Sequence, residues 1–201
     1  MGFVACTRSD IMKVETVYFE SGGKHNTEVT LELVKEKALE HNIKNVVVAS
    51  IRGYAAEKAL EVFSDVDIKL AIVGCNGCDA CPLFSEEIKT KVENKGHKVI
   101  FAPEGSIPYP PEVELAYRRI CEGMKVCVFV AMAVAEAELV PSGQEIIAVT
   151  GTGWKGYEKG GGSDTAIITQ ALKSREFFSY EPLEIHKLKG RKIKEIMCKP
   201  R

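Results

Sequence analysis

The chain has 201 residues, 45% of them hydrophobic and 27% charged, with a formal net charge of −1. That length is enough for one α/β domain with a full core, and near-neutral charge gives no bulk attraction to nucleic acid or to an anionic membrane. The most apolar run, Val126 to Ala135, is flanked by Lys125 and Glu136 and is too short to span a bilayer, so it reads as a core helix.

Residues 1–11, MGFVACTRSDI, lack a basic stretch followed by a long apolar one and read as a loose extension ahead of a domain over 12–201. Seven cysteines without a secretion signal point to a reducing, cytoplasmic setting, where thiols are core residues, ligands or redox groups.

In chain order, Val14 to Phe19 alternates as a strand does. The loop Ser21-Gly22-Gly23-Lys24-His25 follows, and Asn26 or Thr27 caps a helix to about His41 with Leu31, Val34 and Ala38 on one face. Lys44 to Ala49 is a second strand and Tyr54 to Phe63 a second helix. Ile68 to Val73 is the third strand, Ser85 to Lys95 a helix closed by Gly96, and Lys98 to Phe101 the fourth strand. After the proline-rich loop Pro103 to Pro111, Glu112 to Cys121 is helical, Gly123 is a break, and Lys125 to Leu139 is the buried helix. Gln144 to Thr150 and Asp164 to Thr169 are strands around the glycine-rich loop Gly151 to Ser163, and short strands near Leu183–His186 and Lys192–Cys198 end the chain. The alternation predicts a three-layer α/β/α domain with a mostly parallel sheet and right-handed crossovers. The strand-rich last third would add antiparallel edge strands, and an exposed edge there would allow a homo-oligomer.

In such a sheet, ligands sit outside the carboxyl ends of the strands. The loops after strands are Glu20–His25, Ser50–Gly53, Gly74–Pro82, Ala102–Pro111 and Gly151–Ser163, and these are the loops of unusual composition. The stretch VVVASIRGYAAEKAL, Val46 to Leu60, is the plainest strand–turn–helix unit, a geometry that points backbone N–H groups at an anion. Ser50 offers a hydroxyl, Arg52 a fork for phosphate or carboxylate, and Gly53 close backbone approach. An ordinary capped turn accounts for the same residues.

The chain from about Met12 resembles a group of stand-alone proteins, of unknown function, that look like the C-terminal α/β domain of pyruvate kinase. KNVVVASIRGYAAEKALEVF, KVCVFVAMAVAEAELVPSGQEIIAVTGTG, SDTAII and the ending Phe177-Phe178 with KIKEIMCKP carry the likeness, with VETVYF and Asn26-Thr27-Glu28 ahead of them. In many pyruvate kinases this domain binds a sugar-phosphate effector through a Ser/Thr-rich turn, to which Ser50 to Ala55 is similar, although Tyr54-Ala55 stand where hydroxyls are expected. The loop Thr150-Gly151-Thr152-Gly153-Trp154-Lys155 resembles the effector loop. The resemblance implies a phosphorylated small molecule (a sugar phosphate, a nucleotide or flavin mononucleotide) held by Asn26, Thr27, Ser50, Arg52 and Gly53, with Gly151, Thr152, Gly153 and Trp154 as a lid and Trp154 or Tyr157 as an aromatic wall. It implies no kinase activity, because the catalytic barrel is absent.

Cys75, Cys78 and Cys81 form a CxxCxxC run directly after a strand, a departure from that group's pattern. Such a run supplies three thiolates to clusters in ferredoxins, so an iron–sulfur cluster or zinc is one reading. A redox-active CxxC pair and free thiols without a ligand are the others. A redox enzyme or a metal-stabilised interaction domain would follow from the first two. Asp79, His97 or an exogenous group would complete the metal set, while Cys121, Cys127 and Cys198 lie in apolar segments and read as core thiols. His25, His41, His97 and His186 show no motif spacing and read as surface residues, His25 alone lying at the expected pocket edge. Asp164 and Thr165 would either reach a ligand hydroxyl or simply start their strand.

Overall fold

A computed structural model describes residues 13–75, 84–102, 105–151, 161–179 and 192–201. The strands are β1 (Val17–Phe19), β2 (Asn45–Ala49), β3 (Lys69–Gly74), β4 (Lys98–Phe101), β5 (Glu145–Thr150), β6 (Thr165–Gln170) and β7 (Ile193–Pro200). The helices are α1 (Thr27–Glu40), α2 (Tyr54–Val62), α3 (Glu86–Asn94), α4 (Pro111–Ile120), α5 (Glu122–Glu136) and the short α6 (Ser174–Phe177). The strands form one sheet in the order β1-β7-β6-β5-β2-β3-β4. All pairings are parallel except β5–β6 and β6–β7, so β6 alone runs against the rest.

Strands buried on both faces need continuous apolar runs rather than alternation. Val46, Val47 and Val48 of β2, Ile146, Ile147 and Ala148 of β5, and Ala166 and Ile167 of β6 meet that need and are fully buried. Side chains of one parity pack under α1, α2 and α3, with Leu31, Val34, Ala56, Ala59 and Val92. Those of the other parity pack under α5, with Val128, Val130, Met132 and Val134, and under aromatic residues from α4, α6 and the loop ahead of α4. The expected three-layer α/β/α arrangement is therefore the one that forms. Among the described residues, no helix is long and apolar enough to cross a membrane.

Several local expectations change. Gly123 does not break a helix: α5 begins at Glu122, capped by the Cys121 thiol, which accepts from Met124 N–H at 3.3 Å. Glycine stands there because Thr165 comes so near that a Cβ would lie 2.5 Å from the Thr165 Cβ. The helix α6 was not anticipated; at four residues it is too short for a periodic signal, and Glu136 of α5 tethers it by accepting from Ser174 N–H at 2.9 Å. The C-terminal strand is not an edge. β1 pairs outside β7, with Val17 opposite Cys198, and among the described residues the edges of the sheet are β1 and β4. β7 itself therefore supplies no exposed edge for a homo-oligomer. The extension 1–11 and the strand near Leu183–His186 lie outside the described residues.

Candidate functional site

Because β6 is antiparallel, its start meets the carboxyl ends of its neighbours. One edge of the sheet therefore collects Ser21–Asn26 after β1, Ser50–Gly53 after β2, Cys75 after β3, Gly151 after β5 and Gly161–Thr165 before β6. Helices α1, α2 and α5 all start at this edge, so their unsatisfied N–H groups and positive dipole ends point the same way.

The loops are joined by a buried polar cluster. Asp164 is fully buried; its Oδ2 accepts from Gly23 N–H at 2.8 Å and its Oδ1 from the Thr165 hydroxyl at 2.9 Å. The Thr27 hydroxyl donates to the Lys24 carbonyl at 2.7 Å and accepts from Ser163 N–H at 3.0 Å. Thr30 adds a bond to the Ser163 carbonyl at 3.2 Å, and Asn26 donates to the Ser21 carbonyl at 2.7 Å. Asp164 and Thr165 thus do more than open a strand, and Asn26 and Thr27 do more than start a helix. Asp164 and Thr27 fasten segments well over 100 residues apart in the chain, while Asn26 and Thr165 bond close neighbours and hold the two loops in shape. The Ser163 hydroxyl is buried with no partner among the described residues.

The turn after β2 holds a second set. Ser50 N–H extends the ladder to the Val73 carbonyl at 2.9 Å, and the buried Ser50 hydroxyl accepts from Ala56 N–H at 3.3 Å. The hydroxyl thus caps α2 from inside. Gly53 has φ +102°, a backbone that favours glycine, and a Cβ there would also press on the tip of the Ile88 side chain of α3, 2.5 Å from Cδ1. Arg52 is exposed beside it. With Ala56 N–H taken, Tyr54 and Ala55 carry the first-turn N–H groups that have no acceptor within the helix.

Lys24 was overlooked in the sequence, and so was the positive part Tyr54 plays. The Lys24 ammonium lies 3.8 Å from the centroid of the Tyr54 ring, which carries a cation from the β1 loop to the first residue of α2. Its signal was available: a lone lysine inside a glycine loop just ahead of a helix start. Tyr54, where a hydroxyl residue was expected, serves as the platform for that ammonium.

Cys75 stands half-buried at the end of β3, on the same edge. Cys78 and Cys81, like Asp79, Thr152, Gly153, Trp154 and Tyr157, lie outside the described residues. Among the described residues, no group of three or more His, Cys, Asp or Glu side chains could hold a metal. His97 sits at the opposite end of the sheet, where its Nδ1 accepts from Leu70 N–H at 3.3 Å.

Cys121, Cys127 and Cys198 surround the β5–β6–β7 ends as core thiols. Burial holds all three above the ordinary thiol range, Cys198 at about 12 and the fully buried Cys127 well up. They are protonated at neutral pH and serve as small packing groups, Cys127 also lying 3.4 Å from the Thr150 hydroxyl. No family model matches the chain.

Proposed function

We propose that this protein is a small-molecule-binding or regulatory α/β domain that takes a phosphorylated ligand at the carboxyl edge of its sheet, without kinase chemistry. The observation that carries the reading is Lys24 over Tyr54, which adds a full positive charge to the open start of α2. Arg52 lies exposed next to the same turn. The ligand contacts are then the Lys24 ammonium, the Tyr54 and Ala55 N–H groups and the Arg52 guanidinium, while Ser50, Asn26 and Thr27 hold the cradle in shape. The resemblance of Ser50–Ala55 to the effector turn of the pyruvate kinase C-terminal domain favours the same class of ligand. The phosphate of flavin mononucleotide, of another nucleotide or of a sugar phosphate suits this charge and donor set; an aromatic wall from Trp154 or Tyr157 would select between them.

The test is thermal unfolding of the wild-type chain and of Lys24→Ala with flavin mononucleotide, adenosine monophosphate and a sugar bisphosphate in turn. A ligand at one hundred times its Kd adds about 2.7 kcal/mol, roughly 5–11 °C for a chain of this size. The expected result is a rise with one of these compounds that is lost in Lys24→Ala. No rise with any of them, or the same rise in Lys24→Ala, would refute the reading. Gly53→Val is a poorer probe, since it strains the backbone and strikes Ile88 as well.

A second reading keeps one specific support, the position of Cys75 on that same edge. If Cys75, Cys78 and Cys81 hold zinc or an iron–sulfur cluster, the chain is a redox enzyme or a metal-stabilised interaction domain. Metal analysis and an absorbance spectrum of protein prepared without oxygen decide this. Bound iron or zinc that is lost in Cys78→Ser supports it, and metal-free colourless protein removes it.

A further inference from the structure

The strongest feature outside the carboxyl edge is a groove on the outer surface between α1 and α2, enclosing about 600 Å³. Its apolar part is Val29, Leu33 and Val62. Leu33 and Val62 are half-buried against the core below, and Val29 is 53% exposed. Glu28, Glu32 and Glu36 run beside them at i, i+4 and i+8 of α1, and Glu61 lines the α2 side.

Like charges four residues apart on a helix repel, costing roughly 0.2–0.5 kcal/mol per pair. The neighbouring cations answer only part of this rim. Lys58 lies 3.1 Å from Glu28 and 2.9 Å from Glu61, and Lys35 is bound to Asp65 at 2.6 Å. Glu32 and Glu36 are exposed with no salt bridge among the described residues. A helix that bears unanswered carboxylates beside an open apolar strip is the complement of an amphipathic segment whose apolar side chains are flanked by lysine or arginine.

We infer that the α1–α2 groove docks a basic amphipathic helix of a partner protein. The partner's apolar side chains lie on Val29, Leu33 and Val62, and its cations meet Glu32 and Glu36. This inference is independent of the phosphorylated ligand, because the groove is on the outer helical layer and not at the strand ends.

The test uses the full chain and a fluorescein-labelled peptide of about fourteen residues made of leucine and lysine, with the leucines on one helical face. Anisotropy is read at about 0.15 M salt, where charges beyond roughly 8 Å are screened. Saturable binding is expected. Glu32→Lys with Glu36→Lys should weaken it at least about tenfold, as loss and reversal of charge complementarity requires. Val29→Asp should weaken it several-fold. Glu86→Lys with Glu87→Lys, the same charge change on exposed positions of α3, should leave it unaltered within about twofold. Circular dichroism establishes that each variant is folded. Three results would each overturn the inference. One is equal weakening by the α3 control. Another is equal binding of a peptide with its leucines scattered round the helix. The third is a self-associated chain that Glu32→Lys with Glu36→Lys returns to monomer, which would give the groove to a second copy.

Discussion

Gly162→Ala is the most informative single change, because its cost can be worked from geometry and compared with its neighbour. Gly161 and Gly162 both have positive φ, +93° and +79°. Alanine at either pays for a backbone that L side chains avoid, about 1–2 kcal/mol. At Gly161 a Cβ would meet nothing within 4 Å among the described residues, so backbone strain is the expected cost. At Gly162 it would lie 2.4 Å from Thr27 Oγ1 and 2.7 Å from Lys24 Cα. A backbone atom cannot swing aside, so the overpacking adds about 1–3 kcal/mol. The two variants should therefore differ by that amount, roughly 2–12 °C in Tm for a chain of this length. Urea unfolding of both, followed by circular dichroism, measures the difference directly as a change in midpoint at constant slope. If Gly162→Ala is no worse than Gly161→Ala, the glycine loop does not press on the start of α1, and the fastening of Lys24 by Thr27 and Ser163 is wrong. The same variant bears on function: pushing Lys24 away from Tyr54 should weaken an anionic ligand before the fold is lost.

Three further outcomes are expected. Asp164→Asn keeps the shape but can no longer accept on both oxygens. The amide oxygen can still accept from the Gly23 N–H, but the NH2 then faces the Thr165 hydroxyl, which must turn to accept and is left, among the described residues, only the Cys121 sulfur, 3.8 Å away, for its own proton. Exchanging two bonds to a charged carboxylate for neutral ones costs about 1–3 kcal/mol measured by urea unfolding, and an unchanged midpoint would show the carboxylate to be dispensable. His97 is held below its ordinary range by burial and then by Lys95, so the folded chain prefers it neutral, as an acceptor for Leu70 N–H. The unfolded chain takes up the proton first. The stability His97 gives is complete above the ordinary histidine pKa of about 6.5, declines as pH falls below that, and stops declining beneath the folded value. His97→Ala should lose that part of the pH dependence, and identical slopes in the two proteins between neutral and mildly acid pH would contradict it. Cys127 and Cys198, whose thiolates are suppressed by burial, should resist alkylation by iodoacetamide in the native chain at pH about 8 and react fully in urea, as read by mass spectrometry; prompt native labelling would mean that the core opens.

Much was legible in the sequence because it rests on local rules. The short apolar runs at Val46–Val48 and Ile146–Ala148, bounded by turn residues, read as strands covered on both faces, and the longer all-apolar run Val126–Ala135 reads as an interior helix. Ser85 caps α3 and Asn42, at φ +53°, ends α1 for reasons contained in a few neighbouring residues. The gathering of unusual loops at the carboxyl ends of the strands follows from alternation alone. Strand order and contacts across the edge do not. Nothing in residues 14–19 says that β1 will lie outside β7, because parallel pairing of the two chain ends is settled by which apolar faces remain uncovered once β2 to β6 have packed. Nothing near Asp164 says that its carboxylate will seize Gly23 N–H, 141 residues away, nor that Thr27 will take Ser163 N–H. These bonds exist because burying a polar group unpaired is costly, and only the closed fold determines which distant partner is within reach. The same holds for Lys24, an unremarked loop lysine in the sequence and a cation at the mouth of α2 in the structure.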